Sequence, residues 1–138
     1  MKTKKTNAFH FCRERDKTEW GVIYTYTNNY SGFALYTYND DISVAYLSCI
    51  YVSPPKRNKG FGNNILHIAE KEAKRMKFST ICLKVLKDSW KYKWYSDWGY
   101  KDLCLDEEDE RYIWKVKHIN KNKENDTRAK GRIETQTL

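Results

Sequence analysis

Ser43 to Met76 reads SVAYLSCIYVSPPKRNKGFGNNILHIAEKEAKRM, and the order of its three parts decides the fold. Val44 to Val52 is apolar, aromatic and β-branched, the composition of a buried strand. Pro54 and Pro55 end it, because proline donates no ladder hydrogen bond and disfavours a helical residue before it. Arg57-Asn58-Lys59-Gly60-Phe61-Gly62 follows as a basic, glycine-containing turn. From Asn63 onward, Ile65, Ile68, Ala69, Ala73 and Met76 recur at steps of three and four, which predicts an amphipathic helix. A strand, a short basic loop and a helix N-terminus make a seat for a phosphate group. The free N–H groups of the first turn and the positive end of the helix dipole face the loop.

Outward from this stretch, both flanks read as further strands. Residues 1–6 are polar and basic, and Asn7 to Arg13 alternates loosely as a first strand. Trp20 to Thr27 and Phe33 to Tyr38 are strands separated by the turn signal Asn28-Asn29-Tyr30-Ser31-Gly32, and Asn39-Asp40-Asp41 turns the chain again. Three strands with short turns make an antiparallel meander that feeds the central strand. Beyond the helix, which ends near Lys77, Thr80 to Leu86 is a short apolar strand, so the unit has a parallel crossover. Asp88 is a candidate N-cap for a second helix reaching Trp98, with Gly99 as its stop. Tyr100 to Leu105 and Arg111 to Lys117 then form a closing hairpin around Asp106-Glu107-Glu108-Asp109-Glu110. The expected fold is a mixed α/β sheet: a meander leading into a β-α-β-α-β-β half. Residues 1–117 form one domain, and 118–138 a polar tail without apolar periodicity.

Composition narrows the function. No run approaches 18 apolar residues and the start MKTKKTNAFHF has no apolar signal segment, so the expectation is a cytoplasmic protein with no membrane partner. Cys12, Cys49, Cys82 and Cys104 lack paired C-x-x-C spacing, so no metal site is expected. The net charge of +8 invites a nucleic-acid reading, but residues 1–6 carry +3 and residues 118–138 carry +2, leaving +3 for the body. The basic character lies mainly at the ends, which counts against nucleic acid as the partner.

The loop lacks the G-x-x-x-x-G-K-[ST] pattern, and Gly60-Phe61-Gly62-Asn63-Asn64-Ile65 lacks the third glycine of the dinucleotide fingerprint. Arg57, Gly60 and Gly62 instead match [Q/R]-x-x-G-x-[G/A], the acetyl-CoA signature of the GNAT family (GCN5-related N-acetyltransferases), which the stretch resembles. About thirty-five residues on, Tyr95-Ser96-Asp97-Trp98-Gly99-Tyr100 is similar to that family's Y-x-x-x-G-[F/Y]. The resemblance covers Asp41 to about Lys117. It implies a GNAT fold, acetyl-CoA as acyl donor and transfer to a primary amine. GNAT domains place two helices between their first and second strands. Here only Arg13 to Glu19 is available, so those helices are expected to be reduced or missing. In size and lack of roof the chain is similar to compact phage members of the family, including an anti-CRISPR type that modifies a nuclease.

The resemblance also assigns roles. Backbone amides of Arg57, Asn58, Lys59, Gly60, Phe61, Gly62 and Asn63 would surround the pyrophosphate, and main-chain groups near Ile50 and Val52 would hold the acyl and pantetheine portion. Tyr95 is the candidate proton donor to the leaving sulfur, since a phenol with an ordinary pKa near ~10 is protonated at neutral pH. Asp88 stands where family members often carry an Asn that contacts the cofactor. Many members carry a Glu base on the central strand, but Tyr46 holds that place, and no carboxylate lies between Ile42 and Val52. The acidic run Asp106 to Glu110 reads either as a solvated turn or, because the corresponding loop of the family borders the acceptor channel, as a feature that would draw a cationic amine, such as a lysine of a partner protein. Two other readings stay open: a GNAT-fold binding module without turnover, and a nucleic-acid binder using the basic termini. A homodimer also stays open.

Overall fold

Short turns with defined hydrogen bonds set the meander. Asn28 Oδ1 accepts the N–H groups of Tyr30 and Ser31, and Thr18 Oγ1 accepts those of Trp20 and Gly21. The computed structural model describes residues 10–54, 57 and 60–120, without the side chains of Cys49 and Phe61. Within them run β1 (Cys12–Lys17), β2 (Gly21–Thr27), β3 (Ser31–Tyr38), β4 (Asp41–Val52), α1 (Phe61–Arg75), β5 (Thr80–Leu86), α2 (Trp90–Asp97), β6 (Lys101–Leu105) and β7 (Tyr112–His118). They form one seven-stranded sheet in the order β1-β2-β3-β4-β5-β7-β6. The expected α/β architecture is therefore present. Among the described residues no helix precedes α1, and three residues join β1 to β2, so the family's first two helices have no counterpart there.

Several boundaries differ from expectation. The first strand is Cys12–Lys17, not Asn7 to Arg13, of which residues 7–9 lie outside the described residues. CRERDK alternates charge with charge and is exposed throughout, so it carries no apolar period to read. Helix α1 starts at Phe61 rather than Asn63 and ends at Arg75. Helix α2 opens after Ser89, not at Asp88: Ser89 takes the N-cap position, and its hydroxyl donates to the Leu86 carbonyl instead of capping. At the other end of the domain β7 includes His118, and the N–H groups of Ile119 and Asn120 donate to Ser79 O. The tail 121–138 lies outside the described residues.

Both helices cover the same face of the sheet. Ile65, Leu66, Ala69 and Ala73 of α1 and Tyr95 of α2 share one core with Phe33, Leu35, Ala45, Leu47 and Leu83. Burying each leucine, isoleucine or phenylalanine among them contributes roughly 1.5–3 kcal/mol. Among the described residues the other face carries no helix. Its smaller cluster is Val44, Tyr46 and Cys82, flanked by Tyr36, Tyr38 and Trp114.

The sheet is not continuous. β4 pairs with β5 in parallel only from Val44↔Thr80 to Tyr46↔Cys82, although β4 continues to Val52 and β5 to Leu86. Beyond that point the two strands separate, and the gap between them is the site.

Candidate active site

Glycine decides how the chain enters α1. Gly60 has φ +82, a left-handed conformation that side chains rarely adopt, and a Cβ there would meet no atom within 4 Å. It takes the N-cap position without a side-chain cap, so the first-turn amides stay turned toward the loop. Arg57 braces the loop by donating from Nε to Val52 O at 2.9 Å. Gly62 sits against α2, where a Cβ would lie 3.5 Å from the Trp94 ring. Two further contacts tie the helices together: Trp94 Nε1 and Trp98 Nε1 donate to Asn63 Oδ1 at 2.8 and 3.1 Å.

Two cavities meet along this groove. One, of about 610 Å³, is lined by Arg57, Gly60, Gly62, Asn63, Val52 and Trp94 among others. The second, of about 710 Å³, fills the gap between β4 and β5 and reaches Tyr46, Ser48, Leu83, Val85 and Tyr95. Ile50, Trp90 and Lys91 line both. The structure thus brings Ile50, Val52, Arg57, Gly60, Gly62, Asn63 and Tyr95 into one groove. Phe61 opens α1 with its backbone, while Asn58 and Lys59 lie outside the described residues. Asp88 stands in the exposed turn before α2 and is not among the residues lining either cavity.

Tyr95 is 6 % exposed, packed against Trp94 and Tyr100. Burial pushes its phenol up to about 12, so it holds its proton at neutral pH. Tyr46 is more extreme. Its ring stacks on Tyr36 at 5.3 Å and meets Tyr38 and Trp114 edge-on. Its hydroxyl is buried with no hydrogen-bond partner, and burial, reinforced by neighbouring Cys82, raises its pKa far above the ordinary phenol value. The residues lining the β4–β5 cavity include no carboxylate and no histidine.

The acidic run is less uniform than its sequence. Asp106 is anchored, accepting from Trp114 Nε1 at 3.1 Å and lying 3.7 Å from Lys84 Nζ. Asp109 pairs with Arg111 at 2.7 Å, and that hydrogen bond holds its carboxyl down at about 2. Glu107, Glu108 and Glu110 remain exposed at the turn. Two groups escaped the sequence reading. Trp90, one of five aromatics crowded on a short segment, is 70 % exposed at the junction of the cavities. Lys91 beside it adds a cation facing the groove. No sequence signal separates Trp90 from its packed neighbours.

A helix N-terminus with free amides, a glycine held at positive φ and a gap beside an unpaired strand edge define a site for an acyl-CoA. Residues 2–91, well over half the chain, match the model of the acetyltransferase (GNAT) family. The chain belongs to this family, whose enzymes take an acetyl group from acetyl-CoA. The match stops in α2, before Tyr95. No curated protein sequence matches significantly. Among solved structures the fold is similar to the Bacillus subtilis acetyltransferase in complex with CoA, at TM-score 0.60 and 19% identity over 72% of this chain and 78% of that one. It is also similar to the IAA acetyltransferase of Bacillus cereus, at TM-score 0.60 and 15% identity over 78% and 99%. The Escherichia coli ribosomal-protein-S18-alanine N-acetyltransferase gives TM-score 0.57 and 18% identity over 77% and 74%.

Proposed function

We propose that this chain transfers acetyl from acetyl-CoA directly to a primary amine, a lysine of a protein partner, in the cytoplasm. One observation carries the reading: the cavity at the α1 N-terminus and the gap between β4 and β5 adjoin through Ile50, Trp90 and Lys91, and Tyr95 forms part of the wall of the gap. The fit to the donor rests on Gly60, whose backbone leaves open space at the helix entry, and on the unpaired edge of β4 at Ile50 and Val52. The donor supplies a thioester whose C–S bond breaks as the amine nitrogen bonds to the carbonyl carbon. The first-turn amides of α1 and Lys91 would hold the anionic part, and Ile50 and Val52 would align the linear part. Tyr95 would give its phenolic proton to the departing sulfur, and the proton lost by the nitrogen passes to water, since no carboxylate lines the gap. Three exposed glutamates at the β6–β7 turn and the missing roof suit a cationic group carried on a large molecule.

The bare gap also favours a second reading, a GNAT-fold module that binds acetyl-CoA without turnover. Calorimetry with acetyl-CoA, followed by mass spectrometry of lysine peptides after a single turnover, separates the two. Binding with acetylated lysine supports transfer; binding without product supports the module. Absence of binding removes both.

A further inference from the structure

Alternation along β1 sorts its charges by face. Arg13, Arg15 and Lys17 lie opposite Tyr26, Tyr24 and Val22, on the side of the helices, where Arg13 stands over the Tyr24 ring and reaches Met76 Sδ. Glu14 and Asp16 lie opposite Thr25 and Ile23, on the helix-free side. Register carries each of them straight toward the gap. Glu14 leads through Thr25 and Ala34 to Ser48, and Asp16 through Ile23 and Tyr36 to Tyr46.

Across these rows, and on to the turn between β2 and β3, lies a groove of about 650 Å³, mostly apolar, with Ile23, Ala34 and the half-exposed Tyr51 in its lining. Tyr36 and Ser48 line both this groove and the β4–β5 cavity, so the two adjoin. On the other side, Lys84 and Trp114 of the β4–β5 cavity lining contact Asp106, the first residue of the acidic β6–β7 turn. Glu14 and Asp16 stand at the β1 margin of this face, and its aromatic floor includes a buried hydroxyl with no hydrogen-bond partner, that of Tyr46.

We propose that the helix-free face docks a cationic, extended segment of a second protein, which crosses β1 to β4 with basic side chains on Glu14 and Asp16 and presents one lysine at the gap between β4 and β5. The inference rests on the reading of the gap as an acetyl-transfer site and adds the partner's chemistry to it. A second copy of the chain fits poorly, because two-fold pairing of this face sets Glu14 and Asp16 against the same acidic surface. Phosphate backbones are repelled by the same carboxylates.

The test reads binding, so its outcome is separate from whether any amine is acetylated. The full chain is titrated into a fluorescent peptide with one lysine flanked by arginines, with CoA present, and anisotropy is followed at low and high salt. Glu14→Lys with Asp16→Lys should weaken binding about tenfold at low salt and less at high salt. Arg15→Glu with Lys17→Glu, on the opposite face of the same exposed strand, should not weaken it. Thermal melts confirm that both doubles are folded. Equal losses from both doubles, or none from the first, overturn the proposal. So does a wild-type dimer that Tyr36→Lys disperses, or displacement of the peptide by single-stranded DNA.

Discussion

Tyr46 and Cys82 are the last register pair between β4 and β5. Above them the strands part, so a buried phenol ends up at the floor of a gap instead of inside a continuous sheet. That single pair fixes where the groove stops and which side chain meets whatever reaches its end. Its chemistry follows from burial: a phenol held well above its ordinary pKa donates a hydrogen bond but does not take a proton at neutral pH.

The pH profile should therefore belong to the acceptor. With no carboxylate or imidazole lining the gap, log kcat/KM should rise about one unit per pH unit up to the amine's own pKa, near ~10.4 for lysine. Tyr95, at about 12, stays protonated over that range. Two amines of different pKa should give profiles displaced by that difference. A shared inflection below pH 8 would reveal a protein base.

Tyr95→Phe keeps the ring and its contacts with Trp94 and Tyr100 and removes only the hydroxyl. Turnover should fall by roughly 10²–10⁴ with acetyl-CoA affinity little changed. Stopped-flow kinetics beside calorimetry tests this, and near-normal turnover would return Tyr95 to a packing role.

At the α1 entry the two glycines should respond differently. Gly60→Val forces a β-branched residue to φ +82 and should lower acetyl-CoA affinity about tenfold or more. Gly62→Ala meets Trp94 only at ordinary contact distance and should be accepted, whereas a larger side chain displaces that ring. Arg57→Ala should weaken binding less than Gly60→Val, because Arg57 Nε is engaged with Val52 O. Calorimetry on the three variants gives the order; unchanged affinity in Gly60→Val would undo the assignment of the loop.

Acid should loosen α2 through Asp102. Lys115 is 1 % exposed, and its Nζ reaches Asp102 Oδ1 at 2.6 Å and Ser96 Oγ at 2.9 Å. Burial alone would push the Asp102 carboxyl up, but hydrogen bonds from Lys115 and Tyr92, with the Lys115 charge, hold it below its usual range. A depressed carboxyl stabilises the fold above its unfolded pKa, near ~3.9, and that stability is lost as pH falls through the folded value. Asp102→Asn should cost about 1–3 kcal/mol at pH 7, less than for a fully buried pair because Asp102 is half-exposed. Denaturant melts from pH 2 to 7 should show the variant's deficit shrinking toward acid. A constant deficit would mean the pair contributes through packing alone.

The strand–loop–helix order of residues 43–76 was legible because apolar period, proline and glycine act over a few residues. The same holds for the meander, the β6–β7 hairpin and the stop at Gly99, whose φ is +102. Strand β1 was misplaced because its alternation is charge against charge, and Asp88 was misjudged as a cap because Ser89 beside it is an equally good candidate.

What the sequence determined by itself is the local grammar: a helix entered through a basic glycine turn, an absence of carboxylates from Ile42 to Val52, and a tyrosine one turn before Gly99. Tertiary structure alone decided that β7 inserts between β5 and β6 and that β4 and β5 stop pairing at Tyr46 and Cys82. It also buried Lys115 while leaving Trp90 exposed, and turned the acids of β1 to the face without helices. The reason is range. Period and turn chemistry are set by neighbours along the chain, whereas strand order, the end of a ladder and the burial of one side chain depend on residues tens of positions away.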